Sequence, residues 1–361
     1  MSETLTVANK KIRKECPPEP KDVLCSVFKR PNLVHVCFQS SGCRCSKLGT
    51  CTMCNYGTGR NISTEEMQQC MKQKVVPSLS GVSSVLLGTY GSILDQHEIP
   101  NENLEIILES IKKTKVKTVI FETHHKSVTC EILKKISSFL SGKKIIIEFG
   151  LESADKFVLE NSLNKPIELE SVSHTIRVIH SEGMCASANI LVGAPFLSPQ
   201  EQINDAINTV NWVSMQGIDS IVLFPVNVKP YTLLRELNEA GMYDVVSNWL
   251  FVETLNRIPT HILDKIALSW CSESFRMEIK DNIPPRSCNY CDRVLSEFYE
   301  NFTRTETSLE RRALLDVLIN SNVCNCYKEV LKELMTIQEK SLEERVKRAH
   351  DWIDSNFCHN D

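Results

Sequence analysis

Short apolar bursts alternate with amphipathic stretches along most of this chain. Residues 33–38, Leu33-Val34-His35-Val36-Cys37-Phe38, read as a buried strand that runs directly into a cysteine-rich loop, 40–59. Residues 64–74 then carry helical spacing, opened by Ser63 or Thr64 as cap with Glu66 placed for a capping box. Strands are predicted at 82–87, 116–121, 144–149, 186–192 and 218–224, with helices at 103–112, 128–140, 172–182 and 199–215 between them. Gly183 stops the 172–182 helix.

Strands that alternate with helices through short connections imply an α/β fold with parallel strands and right-handed crossovers. A partial or complete (β/α) barrel fits, and it places functional residues at the C-terminal ends of the strands. From about Leu233 the pattern is mainly helical, and a single charged helix is predicted over 329–356. The chain divides into a leader (1–31), a core barrel (32–235) and a mainly helical, cysteine-bearing C-terminal region (236–361). In the leader, Cys16-Pro17-Pro18-Glu19-Pro20 breaks any helix.

Composition narrows the class. Of 361 residues, 42% are apolar and 24% charged, which allows an ordinary core and argues against disorder. The net charge of −4 gives no global field for nucleic acid. The basic runs at Lys10 to Lys14, at Lys112, Lys113, Lys115 and Lys117, and at Lys143-Lys144 read first as solvated faces. No apolar run is long enough for a membrane span, and the polar N-terminus lacks the apolar core of a secretory signal. A cytoplasmic protein is expected, and there 16 cysteines point to metal ligands rather than disulfides.

Two cysteine constellations stand out. Cys43, Cys51 and Cys54 lie on the loop after the first predicted strand, with Gly42, Gly49, Gly57 and Gly59 around them. Three thiolates can hold three irons of a [4Fe–4S] cubane and leave the fourth open. Cys45 competes with Cys43 for the first position, and Cys43, Cys45, Cys51 and Cys54 together would also make a zinc knuckle. Farther on, Cys288, Cys291, Cys324 and Cys326 form a C-x2-C … C-x-C set suited to zinc or an auxiliary cluster, the alternative being free thiols. Cys16, Cys25, Cys37, Cys70, Cys130, Cys185, Cys271 and Cys358 stand singly and read as core or surface thiols.

The ordered motifs resemble radical S-adenosylmethionine (SAM) enzymes of the elongator-type branch, most closely the family of the archaeosine synthase radical SAM subunit. The resemblance rests on Gly42-Cys43 … Cys51-Thr52-Met53-Cys54-Asn55-Tyr56, then Tyr90-Gly91-Ser92-Ile93-Leu94-Asp95 … Glu98-Ile99-Pro100. It continues through Phe121-Glu122-Thr123-His124, Glu148-Phe149-Gly150-Leu151-Glu152-Ser153, Leu163-Asn164-Lys165 and Phe224-Pro225-Val226-Asn227-Val228. Three positions depart from it: Gly193-Ala194-Pro195, His124 where the family has Arg, and Val245 to Leu250. These departures are expected on the substrate side.

The resemblance implies that SAM chelates the open iron and that one-electron cleavage yields a 5′-deoxyadenosyl radical, which takes hydrogen from the substrate. It implies cofactor contacts from the Tyr90-Gly91-Ser92 backbone, from Glu122 and Glu152, from Ser153 toward the SAM carboxylate, and from Asn227. Salt bridges with Lys126 or Lys156 are the plainer reading of the two glutamates, and turn roles that of the Tyr90–Ser92 segment and Asn227. No general base is implied. The partners implied are a flavodoxin- or ferredoxin-type reductant and tRNA with a transferase partner. The reaction would be a lyase step that cleaves a C–N bond in a lysine adduct of a deazaguanine. Radical chemistry on a peptide or small natural product is the alternative, and a non-catalytic zinc-binding interaction protein is the reading from another class.

Overall fold

The architecture is that of a computed structural model, which describes residues 2–18, 23–269, 281–321 and 324–359. Cys271 lies outside the described residues. Eight strands form one curled sheet in the order β1-β2-β3-β4-β5-β6-β7-β8. They are β1 (Cys25–Arg30), β2 (Leu33–Phe38), β3 (Ser84–Thr89), β4 (Thr118–Thr123), β5 (Lys144–Glu152), β6 (Cys185–Val192), β7 (Ser220–Pro225) and β8 (Ile266–Leu268). β1 pairs antiparallel with β2, and every later neighbour is parallel. Among the described residues the two ends of the sheet do not pair, so the barrel is partial.

The six strands expected from the pattern are β2 to β7. β1 and β8 were not anticipated. β8 has three residues, too few for a periodic signal. β1 lies in the segment read as a leader, which also carries a helix, Glu3–Arg13, closed well before the proline run. The predicted 329–356 helix is two helices, Asn325–Met335 and Leu342–Ile353. The second opens with its own capping box, Ser341 and Glu344, which stops one helix and starts another. The Ser63–Glu66 capping box forms as expected, and Ser198 and Glu201 make another ahead of Pro199–Met215.

The two faces of the sheet differ in chemistry. Val36, Leu87, Phe121, Ile147, Ala188 and Leu223 share one face and are all buried among the helices. The opposite face carries Cys37, Gly88, Glu122, Glu148 and Ser187 across five strands, and Asn189 one step further along β6. A polar row in the centre of a parallel sheet is costly unless it is paired or serves a ligand.

Candidate functional site at the mouth of the half-barrel

The cysteine loop leaves β2 at its C-terminal end. Cys43 caps a four-residue helix, Arg44–Lys47, and its amide donates to the Tyr56 carbonyl at 2.7 Å, which folds the loop back on itself. Gly42 has φ +89° and lies so close to Gly57 that a Cβ would stand 2.6 Å from the Gly57 oxygen, so only glycine fits. Cys51 has φ +62°, a strained conformation for a side-chain-bearing residue. Its amide donates to Asn164 O at 3.1 Å, and Thr52 N donates to Leu163 O at 2.9 Å. The segment after β5 therefore holds the loop from one side.

From the other side the first helix holds it. Buried Arg13 donates to the carbonyls of Ser46 (2.6 Å), Thr50 (2.8 Å) and Cys51 (2.5 Å). Asn9 and Asn164 both donate to Gly49 O, at 2.9 and 3.0 Å. The sequence reading missed Arg13 and Asn9 because nothing local to 1–31 links them to a loop 40 residues away.

Cys43, Cys45, Cys51 and Cys54 converge closely enough to feel one another's charge. Burial foremost, with Cys54 and Cys45, pushes the Cys51 thiol up to about 12, and Lys165 opposes the shift. The hydrogen bond with Cys43 and the neighbouring His124 draw Cys45 toward thiolate. Among the described residues, the donor set that closes to within 4.8 Å is a different one, Cys288, Cys291, Cys324 and Cys326. Spaced thiols on a wrapped loop suit a multi-iron cluster, so Cys43, Cys51 and Cys54 fit a [4Fe–4S] group.

Around the loop, Tyr90 stacks on Tyr56 with ring centroids 5.1 Å apart, and Lys229 Nζ lies 3.8 Å over the Tyr56 ring. Gly91 makes room for Glu98, whose Oε2 would be 2.1 Å from a Cβ. Buried Glu98 accepts from Ser92 N at 2.8 Å and from Arg44 N at 3.4 Å, tying the turn after β3 to the cysteine helix. Burial pushes its carboxyl up to about 7. Ser92 Oγ is engaged by Thr123 (2.6 Å), Ser127 (3.0 Å) and the His124 amide (3.2 Å).

Glu152 ends β5 with φ +72°, at a register shift. Its Oε1 pairs with Lys165 Nζ at 2.8 Å, and its buried Oε2 has no hydrogen-bond partner. The ion pair uses Lys165 in place of Lys156, which joins Glu160 instead. Gly150 admits the pair, since a Cβ there would meet Glu152 Oε1 at 2.6 Å and Lys165 Nζ at 2.8 Å. Burial drives the Glu122 carboxyl up to about 7, opposed by Lys229 and Lys165. Ser153 is buried, donates to Asp205 Oδ1 at 2.6 Å and accepts from Asp155 N at 3.0 Å, so its hydroxyl is engaged within the protein. Asn227 is buried and donates to Pro225 O at 3.1 Å. Lys165, Lys229 and Glu98 were not nominated from the sequence, although Lys165 and Glu98 stand inside the matched motifs.

The departing segments pack inward. Tyr243 donates to Gly193 O at 2.9 Å, and Trp249 is buried with its indole N–H 3.1 Å from Cys291 Sγ. These contacts join β6 to the C-terminal cysteines, while His124, the third departing position, is half-buried beside Cys45. Of the basic runs, Lys113 pairs with Glu109 and Lys143 donates to the carbonyls of Thr114 and Val116.

No family model matches the chain. Archaeosine synthase subunit beta of Methanosarcina acetivorans is 25% identical over 309 residues, covering 84% of this chain and 85% of that protein. The chain is similar to that subunit along most of both lengths. The same subunit of Thermococcus kodakarensis is 24% identical over 221 residues, 59% of this chain and 68% of that one. The crystal structure of methylornithine synthase (PylB) is 16% identical, with a TM-score of 0.47 over 88% of this chain and 89% of that one. No helix is long and apolar enough to cross a membrane.

Proposed function

We propose that this radical SAM enzyme cleaves a C–N bond in a lysine adduct of a deazaguanine on tRNA, working with a transferase partner. The observation that carries this reading is similarity to an archaeosine synthase subunit along 84% of the chain, with the cysteine loop and the acidic row inside the matched motifs. A [4Fe–4S] cluster together with SAM would supply one-electron chemistry that removes a hydrogen atom from substrate. Cys43, Cys51 and Cys54 would hold the cluster. The Tyr90-Gly91-Ser92 backbone, Glu122, Glu152 and Asn227 would contact SAM, and Glu152 Oε2, which has no hydrogen-bond partner, would accept from its hydroxyl or amine donors. The protein's part is to bind, orient and exclude water. A flavodoxin- or ferredoxin-type protein is the proposed reductant.

The C-terminal set is proposed as structural zinc. Tetrahedral Zn–S bonds of about 2.3 Å put sulfurs roughly 3.8 Å apart. Cys288 and Cys324 are 3.7 Å apart, Cys324 and Cys326 3.3 Å, and all four thiols lie within 4.8 Å of one another. A cubane would spread them farther. The site joins the ends of Asn289–Arg304 and Asn325–Met335 beside Trp249.

The test has two parts. Anaerobically reconstituted protein with SAM and dithionite should release 5′-deoxyadenosine, and Cys51→Ala and Cys54→Ala should abolish the release. Nucleosides of a deletion strain should lack one modified base and accumulate its lysine adduct. A normal nucleoside profile overturns the tRNA reading and turns attention to a peptide or small molecule. Absence of 5′-deoxyadenosine from iron-loaded wild type overturns the radical reading itself.

A further inference from the structure

The polar row on the inner face of the sheet holds two buried polar atoms without hydrogen-bond partners beside two buried carboxyls. Glu122 and Glu148 are register partners on β4 and β5, so two carboxylates lie side by side. Ser187 is the register partner of Glu148 on β6. In parallel pairing these side chains project from the same face. Ser187 is 1% exposed, and its hydroxyl has no hydrogen-bond partner. Asn189 neighbours Glu148, and its own buried Oδ1 is left without a partner. Buried polar atoms of this kind are rare, and each calls for an occupant.

Charge points the same way. Glu122 faces Lys229 and Lys165, and Glu152 lies on the same side. Lys165 is paired with Glu152, and Lys229 sits over Tyr56 at the mouth. Glu148 is 9% exposed and lies deeper, and burial and Glu122 push its carboxyl up to about 8 against the pull of Asn189. It is a buried acid whose neighbours offer a second acid, a hydroxyl and an amide. Dry, uncharged solutions would replace such an acid with an apolar residue, as the other face of the sheet does at Ile147 and Ala188.

We propose that Glu148, with Glu122, Ser187 and Asn189, forms a subsite for a primary ammonium group of the substrate. The idea deepens the proposed function and rests on it for the substrate's entry from the cluster mouth. An ammonium carries three donors and one positive charge, and four acceptors meet it here. Two carboxylates make charge-assisted hydrogen bonds, and the hydroxyl and amide oxygens fix the direction of approach. A neutral or anionic group would leave the acceptors unsatisfied or repelled. The subsite thus selects an aminoalkyl substrate and anchors its amine below the mouth, leaving the adjoining chain toward the cluster.

The probe is n-butylammonium, compared with its neutral isostere 1-butanol, by calorimetric titration into the full-length, anaerobically reconstituted protein. The wild type should bind butylammonium saturably and about tenfold more tightly than butanol. Glu148→Gln should bring the two to equal affinity. Ser187→Ala, a small change, should weaken butylammonium about threefold with the fold intact by circular dichroism, so the proposal is still tested if Glu148→Gln does not fold. Equal binding of both probes to wild type, the result expected if the row only holds ordered water, overturns it. So does a preference that survives both substitutions. Iron absorbance and 5′-deoxyadenosine release from the same samples report on the radical reading separately, because cation preference requires neither.

Discussion

Arg13 Nη2 donates to the carbonyl oxygen of Cys51 at 2.5 Å, so the first helix of the chain grips the backbone of the cysteine loop. The same guanidinium reaches Ser46 and Thr50, and three carbonyls of one loop share one buried side chain. Cys51 needs such a hold because its positive φ is not a conformation the residue prefers.

Arg13→Ala should leave those carbonyls without donors. Stability should fall by about 3 kcal/mol, and the iron retained after anaerobic gel filtration should drop by at least half. Arg13→Lys, which can reach one carbonyl, should fall between. Iron content equal to wild type in Arg13→Ala would remove the helix from any role in holding the loop.

Gly91→Ala should be destabilising by about 2–3 kcal/mol, since its methyl would lie 2.1 Å from Glu98 Oε2. Glu98 cannot retreat without dropping the Ser92 and Arg44 amides. In a Glu98→Ala background the added cost of Gly91→Ala should nearly vanish, a non-additivity that denaturant titration of the four proteins measures.

Zinc should be present at about one per chain beside iron, by elemental analysis of protein purified without chelator. Cys291→Ser should lose the zinc and keep the iron, and amides of Asn289–Arg304 and Asn325–Met335 should exchange faster. Retention of zinc in that variant would exclude a four-thiolate site.

Asp205 gives a pH-dependent prediction. Burial foremost raises its carboxyl to about 7, with Asp155 adding to the shift and the Ser153 hydrogen bond opposing it. The folded state therefore keeps a proton that the unfolded chain releases near pH 4. The cost of holding the charge is in full force above pH 7, shrinks as pH falls through 7, and is gone below about 4. Asp205→Asn keeps an acceptor for Ser153 and should gain on the order of 1–3 kcal/mol at pH 8, with no gain at pH 4. Thermal melts of both proteins across that range check it.

Much of the fold was legible in the sequence. β2 to β7 each carry three or more apolar residues and are each followed by a helix, and the capping boxes at Ser63 and Ser198 mark where helices start. The break between Met335 and Leu342 was not legible, because charged residues continue across it and only the Ser341–Glu344 cap reveals a second start. β1 was hidden by its place between Pro20 and Pro31, although it pairs residue for residue with the neighbouring β2 across a two-residue turn.

The order of cysteines, glycines and acids along the chain determined the resemblance to radical SAM enzymes and marked the two cysteine sets, because ligand spacing and backbone freedom are local properties. Tertiary structure alone decided which groups answer one another. It set Arg13 under Cys51, Lys165 rather than Lys156 against Glu152, Trp249 beside Cys291, and Glu148 next to an unpartnered Ser187. Those pairings depend on strand register and on contacts between distant segments, and neither is written in any short stretch of residues.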